Sequence, residues 1–359
     1  MLIIHEHGEP SHYMGAVAAA KKKQESVCFR EFLTLKLIYR GLKKKNLSLI
    51  KKAIKDFFFF VFCFLFPNYL KNTNVIIGIA PENWRIIFFN RILKFANVTY
   101  HTSWHIWDGS KFPYEPKPII KKYIALQWQF FLKNTVKNIA VVTQTVRDQL
   151  IEHMRVERSK IEIVYHSYDE SVFYNQNDSF RENDVVYVGR LIESKGISDI
   201  LKISETLSNL KVVFVGAGSE EEKIKQSLLR NHNIQFLGYI SDRRKIAEIF
   251  NNTKYLLLPS KRTKDWEELF GMVIIEAMAC GCIPLCTDHN GPKIILGTKF
   301  LNKNIFTESS FVEKAIQILD GKHISDKQIL QDQIEALEIA KSYSIDEISK
   351  KWEHLLYEY

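Results

Sequence analysis

Two glutamates and a glycine lie close together in residues 255–282, and their spacing could bind an activated, phosphorylated molecule. Glu268 precedes Gly271 by three positions, and Glu276 follows it by five. The apolar run before them predicts a buried parallel strand, and the residues after Gly271 predict a helix that begins there. Free N–H groups at a helix start attract anions, and carboxylates accept hydrogen bonds from ribose or sugar hydroxyls. The stretch therefore predicts a nucleotide-sugar pocket.

The residues around this spacing resemble the signature of a known enzyme family. A Glu-Leu-Phe-Gly tetrapeptide begins at Glu268, and Glu276 opens Glu-Ala-Met-Ala-Cys-Gly. This pattern is similar to the signature of the family-4 retaining glycosyltransferases (glycosyl transferases group 1), which have the GT-B fold. The resemblance implies that Glu276 binds the ribose diol, while Glu268 and the backbone of Leu269, Phe270 and Gly271 hold donor-sugar hydroxyls. The alternative is an ordinary strand–helix unit with a surface glutamate.

A second match to the family follows the strand predicted at residues 185–188. Gly189-Arg190 and Lys195-Gly196 have the family's spacing. Arg190 can hold a phosphate at two points and Lys195 adds a point charge, so both would stabilise the leaving diphosphate. The alternative is two solvated surface cations. The resemblance also implies that the backbone near Ile240 contacts the nucleotide base.

The sequence predicts that no metal or cofactor takes part. The chain contains no Asp-x-Asp motif, and a glycine that would complete a dinucleotide fingerprint is replaced by Glu221. Arg190, Lys195 and the helix start at Gly271 are expected to hold the diphosphate instead. No side chain is an obvious nucleophile, which suits the front-face route proposed for the family.

Candidate acceptor-side residues lie in the first half of the chain. His101 follows a predicted strand, where side chains face the ligand crevice of an open parallel sheet, and the resemblance implies a position beside the reacting carbon. The alternative is a structural histidine in an aromatic cluster with Trp104 and Trp107. Gly8 matches a glycine-containing loop that lies against donor and acceptor in relatives. His12 is a candidate contact for an acceptor phosphate; the alternative is a surface histidine near a helix start. The chain has His166-Ser167 where relatives usually have Asn-Gly.

Residues 43–70 combine lysines with a phenylalanine-rich run. Apolar residues recur at helical spacing from Leu47 to Val61, and Phe57–Phe66 is uninterrupted apolar sequence that ends before Pro67. Ten apolar residues are too few to span a bilayer, which needs about 20. Basic flanks beside aromatic residues favour docking on an anionic membrane surface. The alternative is a helix that covers the first sheet as core.

Charge and cysteine content narrow the class of protein. Residues 1–150 carry 23 Lys and Arg against 9 Asp and Glu, whereas the whole 359-residue chain has a net charge of +9. A basic first half indicates an anionic partner; a phospholipid surface is preferred to nucleic acid. The five cysteines show no metal-ligand spacing and are expected to be reduced. No secretory signal is recognised, so a cytoplasmic protein, peripheral on the inner face of the plasma membrane, is expected.

These observations predict an α/β protein of the GT-B class, with two Rossmann-like, doubly wound domains facing across a cleft. Residues 1–170 are the expected acceptor domain, 171–342 the nucleotide-sugar domain, and 343–359 a helix that packs back on the first domain, with a polar linker near 175–183. The predicted function is transfer of a sugar, with UDP-sugars favoured, to a lipid-linked or growing glycan in surface polysaccharide synthesis. Two alternatives are a nicotinamide-dependent oxidoreductase and a catalytically inactive, membrane-associated protein of the same fold.

Overall fold

The computed structural model describes residues 1–6, 10–113, 118–176, 181–264, 266–300, 303–321 and 325–357. Contacts divide the chain into two units. The first unit comprises Met1–His166 with Ile348–Tyr359, and the second unit comprises Ser167–Glu347. Each unit contains one parallel sheet covered by helices.

The described part of the first unit forms a six-stranded parallel sheet with the order β2-β1-β3-β4-β5-β6. The strands are β1 (Leu2–His5), β2 (Cys28–Glu31), β3 (Asn74–Gly78), β4 (Asn97–Thr102), β5 (Val136–Val141) and β6 (Ile161–Ile163). The connecting helices are α1 (Met14–Lys22), α2 (Thr34–Lys43), α3 (Leu47–Leu65), α4 (Ile86–Ile92), α5 (Pro118–Phe130) and α6 (Gln144–Met154). The strand order reverses between β1 and β3, so loops at their carboxyl ends leave a crevice there.

The described part of the second unit has a six-stranded parallel sheet with the order β12-β11-β10-β7-β8-β9. Its strands are β7 (Asn183–Val188), β8 (Val212–Val215), β9 (Ile234–Phe236), β10 (Thr253–Leu258), β11 (Ile283–Thr287) and β12 (Ile305–Phe306). Its helices are α7 (Ile197–Thr206), α8 (Glu221–Leu228), α9 (Arg243–Asn251), α10 (Met272–Ala279), α11 (Asn290–Phe300), α12 (Phe311–Leu319) and α13 (Asp326–Lys341). The strand order of this sheet reverses between β7 and β10. The prediction of two doubly wound α/β units is therefore confirmed.

The central strands of both sheets form from the continuous apolar runs of the sequence. Central strands of a parallel sheet are buried on both faces and therefore read as continuous apolar runs. In β10, residues 255–258 are all buried, as are Val75, Ile76 and Ile77 in β3. The last helix, α14 (Ile345–Tyr357), begins with the expected cap, in which the Ser344 hydroxyl accepts a 3.2 Å hydrogen bond from the Glu347 N–H. Trp352 of this helix is buried in a core cluster with β1 and α1.

Of the segment expected to be a linker, residues 175–183, the described residues 175–176 and 181–183 are instead bound into the second unit, and residues 177–180 lie outside the described part. The division falls between His166 and Ser167. The Arg181 guanidinium is buried and donates hydrogen bonds of 2.9 Å to the carbonyls of Phe250 and Thr253, and one of 2.8 Å to that of Cys280. The sequence does not show that Arg181 holds this segment in place, because the three carbonyls that it binds lie far from it in the chain.

The helix α3 covers the first sheet only in part. Its buried residues are Ala53, Asp56 and Cys63, and Asp56 accepts a 2.8 Å hydrogen bond from Arg30 and a 3.1 Å bond from the Glu31 N–H. The phenylalanines of α3 are partly or largely exposed. Among the described residues, no helix is both long and apolar enough to cross a membrane.

Candidate functional site

Two loops meet where the strand order of the second unit reverses. The loop after β7 contains Arg190 and Lys195, and the loop after β10 leads to Glu268. Gly196 has φ of +69°, and a Cβ there would lie 2.0 Å from the Pro259 carbonyl oxygen. The Lys261 N–H donates a 2.8 Å hydrogen bond to the Ser194 carbonyl. This close backbone approach places the Lys195 side chain beside the second loop.

Lys195 and Glu268 form an ion pair with little solvent exposure. The Lys195 ammonium donates to Glu268 Oε2, and the two side chains are 12% and 14% exposed. The same ammonium lies 4.5 Å from the centre of the Trp266 ring. A lysine has three N–H donors, so Lys195 can keep Glu268 and also donate to an anionic oxygen. The structure thus joins one expected phosphate-binding residue with one expected sugar-binding residue.

A buried histidine fixes the position of Glu268. His289 Nδ1 accepts a 3.0 Å hydrogen bond from the Glu268 N–H, and His289 Nε2 lies 2.8 Å from the Ser260 carbonyl oxygen. Burial is the main cause that lowers the pKa of His289 below its usual value. A neutral ring protonated at Nε2 satisfies both contacts. His289 therefore ties the turn after β11 to the loop after β10.

The backbone of Glu268 is held from the other side by Gly291. The Gly291 N–H donates a 2.8 Å hydrogen bond to the Glu268 carbonyl. A Cβ on Gly291 would lie 2.5 Å from the Phe270 backbone nitrogen, so a larger residue would displace this loop. The N–H and the carbonyl of Glu268 are thus both hydrogen-bonded within the protein. The carboxylate of Glu268 is the part that can reach a ligand.

Helix α10 begins at this loop. Gly271 is its N-cap with φ of +88° and ψ of 65°, a left-handed conformation that favours glycine. The first N–H groups of a helix have no acceptor within the helix, which leaves those after Gly271 directed out of its amino end. The Phe270 side chain is buried, with its ring centre 5.8 Å from that of Tyr343. Leu269 and Gly271 therefore lie at the helix start, while the Phe270 side chain serves packing.

Glu276 lies further along α10 and pairs with an arginine from α9. The Arg243 guanidinium donates a 2.8 Å hydrogen bond to Glu276 Oε1, and the Glu276 side chain is 13% exposed. Burial raises the pKa of Glu276 to about 7, although Arg243 acts in the opposite direction. The protonation of this carboxyl therefore changes near neutral pH.

Arg190 and Ile240 share a cavity of about 450 Å³ at the carboxyl ends of β7 and β8. Arg190 is exposed, and the described residues supply no ion-pair partner for its guanidinium. Its carbonyl accepts a 2.7 Å hydrogen bond from the Tyr187 hydroxyl. Burial raises the pKa of that hydroxyl, and the Glu268 charge adds to the effect. A free guanidinium and an apolar lining together suit a phosphate with an attached ring.

The first unit has a histidine-lined cavity of about 250 Å³ where its own strand order reverses. His101 is the penultimate residue of β4, and its buried ring stacks on that of His12 at 5.2 Å between ring centres. His166 lies 5.2 Å from His12 and 5.9 Å from His101 by the same measure, and His5 lies 5.4 Å from His12. The structure therefore brings His101 and His12 together. The His101 ring also lies 5.0 Å from that of Tyr13 and 5.9 Å from that of Trp352, and Trp104 lines the same cavity.

Three histidines of this cavity, His12, His101 and His166, are held neutral. Burial is the main cause that lowers the pKa of His12 to about 2 and that of His166 to about 4. Burial and the neighbouring histidines also place the pKa of His101 well below its ordinary value. Neutral imidazoles both donate and accept hydrogen bonds, which suits contact with hydroxyl groups.

Two further expectations concern Gly8 and a metal. Gly8 lies outside the described residues. Among the residues that the structure does describe, no group of histidine, cysteine, aspartate or glutamate side chains could hold a metal ion. The described cysteines are free thiols, of which Cys28 is exposed and the others are buried.

Sequence reasoning missed several residues of both sites. From the sequence alone, no role at a site is predicted for Arg243, Tyr187, His5, His166 or His289. Arg243 and Glu276 are 33 positions apart, and the histidines come from β1, the short helical turn before α1, β4 and the segment after β6. The available signal was a histidine at or just after the carboxyl end of a strand: His5 ends β1, and His289 lies two residues after β11.

Comparison with known proteins gives a match to a family model over part of the chain, and a fold. Residues 173–336 match the model of the family described as glycosyl transferases group 1. An uncharacterized 42.6 kDa protein in the cps region of Klebsiella pneumoniae is 23% identical, over 72% of this chain and 70% of that protein. The O-antigen chain mannosyltransferase RfbU of Salmonella typhimurium is 24% identical, over 62% of this chain and 66% of that protein.

The solved structure of Anabaena Alr3699/HepE in complex with UDP is similar along almost the whole chain. The TM-score is 0.66 at 14% sequence identity, and the alignment covers 98% of this chain and 97% of that one. The lipopolysaccharide outer core galactosyltransferase WaaB, in its apo form, gives a TM-score of 0.59 at 15% identity, with 99% of both chains covered. These likenesses confirm the predicted GT-B fold class.

Proposed function

We propose that this chain, whose residues 173–336 belong to the glycosyl transferases group 1 family and which has the GT-B fold, is a retaining glycosyltransferase. It transfers a sugar from a nucleotide diphosphate sugar, with UDP-sugars favoured, to a lipid-linked acceptor in surface polysaccharide synthesis. The observation that carries the proposal is the Lys195–Glu268 pair, since it places a cation and a hydroxyl acceptor side by side at the amino end of α10.

The second unit supplies the groups that a nucleotide-sugar donor needs. Arg190 binds the diphosphate as a fork, and Lys195 and the N–H groups at the start of α10 add positive charge. These groups stabilise the negative charge that develops as the sugar leaves. Glu268 accepts from donor-sugar hydroxyls and Glu276 from the ribose diol, while the base lies against the cavity that contains Ile240. No divalent ion is needed in this arrangement.

The first unit supplies the acceptor side. His101 and His12 present neutral imidazoles to acceptor or donor hydroxyls in the histidine-lined cavity. In the proposed front-face reaction, the bond between the anomeric carbon and the phosphate oxygen breaks. The acceptor oxygen bonds to that carbon on the same face, and its proton passes to the leaving phosphate. The route requires no enzymic nucleophile.

The acceptor class follows from the relatives and from the surface of the first unit. Two relatives are named for a cps region and for an O-antigen chain, which supports a role in surface polysaccharide synthesis. Residues 43–70 expose Phe58 (63%), Phe62 (45%) and Phe66 (57%), and six lysines lie in the same segment. An exposed aromatic face with basic flanks suits an anionic membrane surface, where lipid-linked acceptors are found.

A panel of nucleoside diphosphates and nucleotide sugars tests the proposal. Thermal unfolding of the wild-type protein is measured with each compound, in the presence of a chelator, and turnover is then followed with the best donor. We expect one base to raise the unfolding temperature, with the effect lost in Lys195→Ala. The anomeric configuration of the product, read by NMR, tests retention. Stabilisation by reduced nicotinamide cofactors instead would support the oxidoreductase alternative, and binding without turnover the inactive one.

A further inference from the structure

An apolar cavity of about 410 Å³ lies in the first unit between α2, α3 and α4. Phe57, Phe60 and Phe64 approach it from α3, and Phe88 and Phe89 from α4. Positions 57, 60 and 64 share one helical face, spaced by three and four residues. A cavity of this size lies within the range of about 300–1,000 Å³ that is typical of small-molecule sites. It is concave, and so it fits a single chain better than a flat bilayer surface.

Charge at the rim indicates what kind of molecule enters. Lys36 and Arg85 are the charged residues in the lining, and no carboxylate lines the cavity within the described part of the chain. The Arg85 guanidinium lies 4.6 Å from the centre of the Trp84 ring. The nearest acidic group on α3, Asp56, is buried and paired with Arg30. An apolar lining that includes two cations complements a hydrocarbon chain that carries a phosphate.

One short loop lines both this cavity and the histidine-lined cavity. Residues 79–81 border the histidines, whereas Trp84 and Arg85 border the apolar space. The loop is held in place by Glu6, which accepts a 3.2 Å hydrogen bond from the Ala80 N–H and a 3.3 Å bond from Asn83. A ligand with a polar head and an apolar tail could therefore contact both cavities across this loop.

We propose that the apolar cavity binds the hydrocarbon chain of the phosphate-linked lipid acceptor, with Lys36 and Arg85 at the phosphate. The inference rests on the proposed function for the identity of the acceptor. The cavity is separate from the exposed phenylalanines Phe58 and Phe62, which do not line it. Membrane docking and chain binding are thus assigned to different faces of the same helix.

Calorimetric titration with butyl, octyl and dodecyl phosphate, each below its micelle concentration, tests this site. Burial of each CH₂ contributes about 0.8 kcal/mol, so we expect dodecyl phosphate to bind at least roughly 100-fold more tightly than butyl phosphate. Dodecanol should bind more weakly than dodecyl phosphate, and Lys36→Ala with Arg85→Ala should remove that difference. Equal affinity for the short and long chains would overturn the proposal.

Variants separate the cavity from the surrounding surface. Phe57→Ser with Phe88→Ser alters two half-exposed lining residues, whereas Phe58→Ser alters an equally apolar residue outside the lining. We expect Phe57→Ser with Phe88→Ser to weaken dodecyl phosphate binding at least tenfold. Phe58→Ser should leave this binding unchanged. Val61→Phe fills part of the cavity without adding a polar group and should also weaken binding of the long chain. Equal losses in Phe58→Ser and in the cavity variants would overturn the site.

Two further arms distinguish the acceptor from bulk lipid, and this site from the donor site. Phosphatidylglycerol vesicles should not displace bound dodecyl phosphate; displacement would show that the cavity holds ordinary membrane lipid and would overturn the proposal. Lys195→Ala should keep full affinity for dodecyl phosphate, because the two sites lie in different units. Chain binding with no nucleotide-sugar binding would refute the proposed function alone, and the reverse result would refute this inference alone.

Discussion

His289 accepts a 3.0 Å hydrogen bond at Nδ1 from the backbone N–H of Glu268, and its Nε2 lies 2.8 Å from the Ser260 carbonyl oxygen. One buried ring therefore holds both ends of the stretch from Ser260 to Glu268, which carries the proposed sugar-binding carboxylate. Glu308 Oε1 lies 3.4 Å from the same Nε2, but the shorter contact to Ser260 and the lowered pKa indicate a neutral ring. The positioning of Glu268 depends on this tautomer.

Replacing His289 should impair transfer through Glu268. His289→Ala leaves the Glu268 N–H without its acceptor, which costs about 1–3 kcal/mol, and we expect transfer efficiency to fall roughly tenfold to a hundredfold. His289→Asn can still accept from that N–H and should recover part of the loss. Steady-state kinetics of both variants check this, with thermal unfolding as the control for folding. Equal defects in the two variants, or full activity in His289→Ala, would contradict the positioning role.

Removing the Lys195 ammonium should weaken both donor binding and catalysis. It is expected to contact the diphosphate in the ground state and more strongly in the transition state, so Lys195→Ala should cut kcat/KM roughly tenfold to a thousandfold. Lys261 provides a matched control, because it lies in the neighbouring loop but pairs with Asp199 at 2.9 Å. Lys261→Ala should stay within about threefold of wild type. A similar loss in both variants would show that the effect is a general change of charge.

Donor affinity should rise with pH around the pKa of Glu276. Burial raises this pKa to about 7, and the ionised carboxylate is the stronger acceptor for a ribose diol. Titration with an intact nucleotide sugar, whose diphosphate does not itself titrate near pH 7, should show tighter binding at pH 8 than at pH 6. Glu276→Gln should bind more weakly and lose this pH dependence, whereas Glu248→Gln on α9 should retain it. A pH-independent wild type would argue against the ribose role.

The same raised pKa has a consequence for stability. Because the folded-state pKa of Glu276 exceeds its unfolded value of 4.5, the unfolded state releases this proton first as pH rises. The stability contributed by the protonated carboxyl is present below about pH 4.5 and is lost as the pH rises through about 7. Glu276→Gln should therefore gain stability relative to wild type between pH 5 and pH 8. An unchanged difference would show that the carboxyl is not desolvated.

The histidine-lined cavity should make the protein sensitive to mild acid. Burial places the pKa of His12 at about 2 and that of His166 at about 4, both below the ordinary 6.5. Below about pH 6.5 the histidines of the unfolded state bind protons, whereas these buried histidines of the folded state do not. The free energy of unfolding therefore falls as pH decreases. The fall in unfolding temperature from pH 7 to pH 5 should be smaller in His166→Asn than in wild type. His232→Asn, at an exposed histidine of the second unit, should behave as wild type; if it matched His166→Asn, the cavity would not be the cause.

Exposed phenylalanines of α3 should be needed for membrane binding. Wild type is expected to float with liposomes that contain anionic lipid and to dissociate as salt is raised, because the lysines of residues 43–70 act by attraction to the headgroups. Phe58→Ser with Phe62→Ser should lose most of this binding. Leu229→Ser, at a residue that is 84% exposed in the second unit, is the control. Failure of wild type to float would refute membrane docking.

The sequence predicted the fold from local signals and the sites only in part. Apolar runs such as residues 255–258 mark buried strands, and Gly271 and Glu276 mark the start of α10, because these features depend on neighbours in the chain. The Arg243–Glu276 pair and the histidine-lined cavity depend on which strands lie side by side. The polar segment around Arg181 was misread as a linker, because its stabilising contacts are made with carbonyls about 70 to 100 positions away.

The most direct test of the account is a crystal structure of the protein with an intact nucleotide sugar. We predict that the diphosphate lies within hydrogen-bond distance of the Arg190 guanidinium, the Lys195 ammonium and the N–H groups at the start of α10, with Glu268 on a sugar hydroxyl and Glu276 on the ribose. A diphosphate bound elsewhere, or held through a divalent ion with Arg190 and Lys195 turned away, would contradict it.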